Sequence, residues 1–281
     1  MRLAHVLATS LAVTAASVAP LAATAQADPD PRSSYTFAVI GDVPYGADQI
    51  AAFPRWIQQI NADRAVRSVV HLGDIKNGSS VCSDEYFDLI RSDFDTFEDP
   101  LVYTPGDNEW TDCHRANNGA YDPLERLAKL REVFFDQPGR TLGRHQLNVT
   151  SDAAAGFPEN VVYHQAQVTF VAANVPGSNN GLQPWCGLGN TEPTPEQVDA
   201  VEARTADDVA VLHRAFAEAK RRHDRGVVVM QQADMFDPTY VPTWNDIGAF
   251  QPWIQALVDE AASFHGPVYL LDGDSHVYNT D

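Results

Sequence analysis

The chain alternates short, largely apolar runs with longer stretches in which apolar residues recur at helical spacing. Tyr35–Ile40, Arg67–Leu72, Leu101–Tyr103, Gly226–Met230 and Pro267–Leu271 are brief, rich in Val, Leu and Tyr, and bounded by Gly, Pro or Asp, which predicts buried strands. Val161–His164 and Val168–Ala173 read as a strand pair joined by a turn at Gln165–Gln167. Between the strands the pattern predicts helices over Gln49–Ala62, interrupted by Pro54, and over Asp84–Phe97, Pro123–Phe135 and Phe250–Phe264. A long helix starts at Thr194-Pro195-Glu196, with Thr as N-cap and Pro in the first turn. Val198, Val201, Val209, Leu212, Phe216 and Ala219 then mark its buried face. Gly177–Thr194, rich in Gly, Asn and Pro, reads as a long loop. Strands separated by helices predict an α/β domain, and the paired central strands predict a mixed sheet or two sheets.

The first residues follow another pattern. Arg2 precedes an Ala-rich apolar stretch from Leu7 to Thr24, and Ala25-Gln26-Ala27 has the form of a signal-peptidase site. A membrane anchor is the competing reading, but Thr9, Ser10, Thr14, Ser17 and Pro20 interrupt the run, which is short for a span. The expectation is a signal peptide over 1–27, a flexible leader over 28–34, one domain over 35–281, secretion, and no stable membrane insertion. The last apolar run closes ten residues before Asp281 without a cap or polar tail. Two readings stay open, a domain that stops there and a chain cut short.

Composition narrows the function classes. With 44% apolar and 20% charged residues the chain is globular, and its net charge of -19 argues against nucleic acid polymers as partners. Three cysteines, Cys82, Cys113 and Cys186, leave one over after any pairing. Cys82 and Cys113 each follow a polar motif shortly after a strand, which favours pairing them; three free thiols are the alternative.

The candidate chemistry lies in a repeated dipeptide. Gly-Asp occurs at Gly41-Asp42, Gly73-Asp74, Gly106-Asp107 and Gly273-Asp274, each time closing an apolar run: "FAVIGD", "VVHLGD", "LVYTPGD" and "VYLLDGD". One such pair is ordinary turn chemistry. Four at strand ends place four carboxylates on the sheet edge where α/β domains build sites. Carboxylates gathered closely raise one another's pKa, so protons or cations must neutralise them. Lys76 and Arg115 are the basic residues close by in sequence, and His276 adds a nitrogen beside Asp274.

In order and spacing these motifs resemble the calcineurin-like metallophosphoesterases over Tyr35 to Asp281. That resemblance implies a four-layer α-β-β-α sandwich of mixed sheets and two divalent metal ions, with Asp42, Asp74, Asp107, Gln232, Asp274 and His276 as ligands and Asp74 bridging. It also implies hydrolysis of a small phosphate ester by a metal-activated hydroxide. The match in letters is partial. Pro44, Asn108, Gln232 and Asp274 stand where the family has histidines. Tyr45 offers a phenolic oxygen, or merely packs. Asn108 donates a hydrogen bond but is no general acid. His114, or Asp112 with a raised pKa, is the candidate proton donor, and Arg115 the candidate phosphate clamp. A ligand set dominated by oxygen suits Mg, Ca and Mn, while His276 keeps Fe and Zn open. Two other classes remain: an extracellular cation-binding module with little hydrolysis, and a metal-independent hydrolase using paired carboxylates.

Overall fold

The computed structural model describes residues 34–236 and 247–280. The signal peptide and nearly all of the leader expected from the sequence lie outside them, as does Asp281.

Strand β1 (Thr36–Ile40) leads through helix α1 (Gly46–Ala62) to β2 (Val66–His71), and α2 (Asp84–Phe94) leads to β3 (Leu101–Tyr103). These three strands form a sheet in the order β1-β2-β3, parallel throughout, as strands linked by crossover helices must be. Helix α3 (Pro123–Phe134) follows, and then the second sheet begins. It contains β4 (Thr150–Asp152), β5 (Phe157–Gln165), β6 (Val168–Ala172), β7 (Gly226–Met230) and β8 (Val268–Leu271), in that order. Its β4-β5-β6 half is antiparallel and its β6-β7-β8 half parallel. The crossovers of the parallel half are α4 (Pro195–Arg222), entered by the Thr194 cap, and α5 (Gln251–Ser263). Among the described residues the first sheet is parallel and the second is mixed, within the two-sheet α/β architecture that was expected.

The layer order follows from which side chains share a core. Val69, Leu101 and Tyr103 turn to Phe53, Phe87, Phe94 and Leu130 of α1, α2 and α3. Their strand neighbours Val70 and Val102 turn the other way and meet Tyr163, Phe170 and Val228 of the second sheet. Val171, Val227 and Val229 face α4 and α5, against Phe216 and Trp253. The two-residue period of a strand thus places each sheet between a helical layer and the other sheet.

The elements differ from expectation mainly at their ends. Helix α1 starts three residues early and passes through Pro54, which lies on its exposed face. Helix α2 stops at Phe94, because Thr96 and Phe97 donate to Asp93 and Phe94 and tighten the last turn. The edge strand β4 is short and polar and gave no periodic signal. Cys82 and Cys113 form the disulfide that was favoured, with a Cα–Cα distance of 5.9 Å, and Cys186 is an exposed free thiol.

The disulfide closes a loop with a sequence separation of 31 residues. Replacing both cysteines with serine is expected to cost about 3 to 4 kcal/mol of unfolding free energy. Denaturant unfolding of the double variant checks this, with a lower midpoint expected.

Candidate metal centre

The parallel strands all point their C-terminal ends at one rim. Asp42 follows β1, Asp74 follows β2, Asp107 follows β3, Gln232 follows β7, and Asp274 and His276 follow β8. The rim joins both sheets: the Thr104 hydroxyl donates to the Ala173 carbonyl at 2.9 Å, and Gln232 Nε2 donates to Asp74 Oδ2 at 3.3 Å. Asp42, Asp74, Asp274 and His276 have φ of 56, 57, 69 and 57°. This left-handed conformation is tolerated by Asp but rare for most residues. It turns each chain abruptly off its strand.

The turns bring the carboxylates together in two groups. Asp42, Asp74 and His276 each offer one ligand atom, all within 4.8 Å of one another, and so do Asp74, Asp107 and Asp274. Asp74 belongs to both. Glycines make the crowding feasible. A Cβ at Gly177 would come within 2.6 Å of an Asp107 oxygen and 3.1 Å of an Asp274 oxygen. One at Gly106 would lie 2.1 Å from Asp74 Oδ1.

The electrostatic burden is heavy. Burial, then Asp107, Glu109, Asp42 and Asp274, hold the Asp74 carboxyl well above the usual carboxylate range. Burial with Asp107 and Asp42 pushes Asp274 to about 8. Burial, partly offset by the Gly106 amide and Tyr103, raises Glu109 to about 7. The buried Lys76 ammonium is the internal counter-charge. Its Nζ donates to the carbonyls of Asn77 and Asn108 at 2.9 and 2.7 Å, and burial lowers its pKa to about 8.

Hydrogen bonds show a shortage of protons as well as of positive charge. Tyr45 Oη lies 3.2 Å from both Asp42 Oδ1 and Asp74 Oδ2, and 3.3 Å from His276 Nε2, with one proton to give. It is a member of the site, not a packing residue. The donor set is therefore oxygen-rich, crowded and under-neutralised, and a divalent cation fits it on all three counts. Asp42, Asp74 and His276 would hold one ion; Asp74, Asp107 and Asp274 would hold another.

Other candidate residues find different places. Asn108 is in the site: its Nδ2 donates to Asp74 Oδ2 at 2.8 Å and its backbone amide to Asp74 Oδ1 at 3.2 Å. Gln232 is also there, but its Oε1 accepts from the Gly177 amide at 2.6 Å. A backbone N–H can only donate, so this bond fixes the side chain's orientation. What faces Asp74 and Asp107 is the amide NH2, at 3.3 Å from each. Gln232 thus donates hydrogen bonds to the carboxylates while its oxygen is taken by Gly177, which changes the role expected for it. Gln231 turns away and accepts from Trp253 Nε1. His114 is not brought to the carboxylates. Its Nδ1 accepts from the Gly187 amide at 3.2 Å, and burial, aided by Arg115, lowers its pKa. Arg115 forms an ion pair with Asp112 at 2.7 Å and remains 39% exposed. Its Nη1 and Asn108 Oδ1 lie 3.6 and 2.9 Å from where a Gly78 Cβ would be, so a side chain at this position would crowd Asn108.

Three further residues contribute. Glu109 Oε1 accepts from the amides of Asp74 and Gly106 and from the Tyr103 hydroxyl, tying two metal-side loops to β3. Ser178 Oγ lies 3.0 Å from Asp107 Oδ2 and 2.8 Å from Asp112 Oδ1. Gly177 contributes the amide that orients Gln232. The stretch Gly177-Ser178-Asn179-Asn180-Gly181 read as plain loop, although its run of residues suited to positive φ was a signal.

Raised carboxyl pKa values mean that the native chain keeps protons that the unfolded chain releases. This stabilisation is complete below the ordinary carboxylate range and is lost as pH rises through the raised values. Metal-free protein is expected to melt at progressively lower temperature from about pH 5 to about pH 8. Adding a divalent cation should flatten that decline and release protons. Thermal unfolding across pH, with and without chelator, together with proton release in weak buffer, checks both.

No curated protein matches the chain. The family model for calcineurin-like phosphoesterases matches residues 35–277, the region that carries both sheets and every candidate ligand. The chain belongs to the calcineurin-like phosphoesterase family.

Proposed function

We propose that this chain is a secreted phosphoesterase that hydrolyses small phosphomonoesters or phosphodiesters at a dinuclear, carboxylate-rich site. The observation that carries this reading is Asp74, shared by two ligand groups on one rim, beside the Asn108 amide and a half-exposed arginine. Bound divalent cations, of the Mg, Ca, Mn, Fe or Zn type, would supply Lewis acidity and an activated water. The chain's own residues do the rest. Asp42 with His276, and Asp107 with Asp274, fix the two positions on either side of Asp74. Arg115 presents its guanidinium to a phosphate oxygen beside Gly78. Gln232 and Asn108 hold the Asp74 and Asp107 oxygens in place by donation. Secretion rests on the amino-terminal sequence and agrees with the Cys82–Cys113 disulfide. No helix among the described residues is long and apolar enough to cross a membrane.

A second reading has its own observation. His114 is engaged with Gly187 and Asn108 cannot give up a proton, so a cation-binding module with little turnover uses the same residues. One assay separates the two. Protein from Asp28 onward, stripped of metal, is given Mg, Ca, Mn, Fe or Zn singly with p-nitrophenyl phosphate or bis-p-nitrophenyl phosphate, alongside Asp74→Asn. Turnover restored by a metal and reduced to background in the variant is the expected result. A metal-dependent rise in melting temperature without turnover by any metal would establish the binding module instead.

A further inference from the structure

Three consecutive residues that carry side chains, Ser178, Asn179 and Asn180, have φ of 52, 55 and 53°, and Gly181 continues at 76°. This is a turn of left-handed helix. Each such residue other than glycine costs on the order of 1 kcal/mol, less for Asn. A segment of this kind persists only where its surroundings dictate it. Here they do. Arg204 of α4, fully buried, donates to the Asn180 carbonyl and side-chain oxygen and to the Asn174 carbonyl. Its guanidinium also lies 5.4 Å from the ring of Trp110, the residue after Glu109. Gln197 donates to the Gly181 carbonyl at 2.8 Å, and Asn179 Oδ1 accepts from the Ala249 amide at 3.0 Å.

The turn delivers one hydroxyl between the carboxylates of Asp107 and Asp112, whose backbones are also tied by the Asp112 amide donating to the Asp107 carbonyl at 3.0 Å. Ser178 Oγ touches Asp107 on the metal side and Asp112 on the other. The second oxygen of Asp112 holds Arg115. Asp107, Ser178, Asp112 and Arg115 therefore form a continuous chain from the ligand group to the guanidinium beside Gly78. Asp112 thus faces Ser178 with one oxygen and Arg115 with the other, which limits its rotation and sets the origin of the arginine.

We infer that Ser178 is a positioning residue: the left-handed turn pinned by Arg204 sets its hydroxyl between Asp107 and Asp112, and thereby orients Arg115 toward a phosphoryl group held at the metal centre. This rests on the phosphoesterase reading for the identity of the anion, but not for the geometry of the clamp. Asp112 and Ser178 are the members that touch no substrate. Arg115 is the one that does.

The test uses the metal-loaded protein and inorganic phosphate as probe, followed by calorimetry, with ester turnover as a parallel readout. Ser178→Ala is expected to weaken phosphate binding about tenfold, as the loss of an orienting partner does. KM should rise more than kcat falls, with metal content and melting temperature unchanged. Ser178→Gly should lose the same affinity yet melt higher, since glycine adopts this backbone without strain. In an Arg115→Ala background, Ser178→Ala should add no further loss, because the two act through one contact. Unchanged phosphate affinity in Ser178→Ala would overturn the proposal. So would losses that multiply in the double variant, or a loss that follows reduced metal content. Wild-type protein that binds phosphate but hydrolyses no ester would sink the phosphoesterase reading alone, leaving the clamp to the phosphate titrations. Wild-type protein that binds no phosphate would sink the clamp.

Discussion

Negative charge concentrated around Asp74 governs the architecture of the rim. Asp42, Asp107, Glu109 and Asp274 all raise its pKa, and burial does so more than any of them. Every nearby feature makes sense as a response to that repulsion. Glycines at 106 and 177 let the carboxylates approach without a Cβ between them. Amide groups from Asn108 and Gln232 donate into the cluster. Lys76 is buried whole, an arrangement that a long cationic side chain adopts only with compensation close at hand. Even so, Tyr45 and Ser178 each face more acceptors than they have protons. Fixed donors leave a remainder, and mobile cations are its natural complement.

The two sheets reach this rim by different routes, and that shapes the site. The first sheet contributes three aspartates from three parallel strand ends, a repetition that βαβ crossovers generate automatically. The second contributes from its parallel half alone, after β7 and β8, and also from the turn that follows β6. Its antiparallel half serves the core between the sheets. Chemistry thus follows strand direction: carboxyl-terminal ends of parallel strands carry it, and the hairpin does not.

How much of this was readable beforehand depends on how local each signal is. The four Gly-Asp pairs were legible because each joins an apolar run to a turn former within a few residues. Their grouping was implied by the resemblance, with Asp74 as the shared member, and in the structure Asp42, Asp74 and His276, and Asp74, Asp107 and Asp274, lie within reach of one another. Orientation was not legible. Nothing in "QQAD" says that Gln231 turns to Trp253 while Gln232 turns its NH2 to the carboxylates, because a distant amide at Gly177 decides it. His114 looked available by proximity in sequence, but a 3₁₀ turn over Thr111–His114 hands its ring to Gly187. Ser178 was hidden inside a loop whose composition suggested slack where the structure has constraint.

The positive φ of Asp42, Asp74 and Asp274 has a consequence for how this protein can change over time. Substitution at these positions passes two filters, backbone shape and charge. Glycine, asparagine and aspartate satisfy the first with least strain, and only aspartate satisfies the second. A drift from aspartate to asparagine would therefore leave a well-formed, soluble molecule whose rim had been discharged. Descendants of this chain could keep the shape as an inert scaffold, so that neither successful expression nor an intact outline would reveal whether the chemistry had survived.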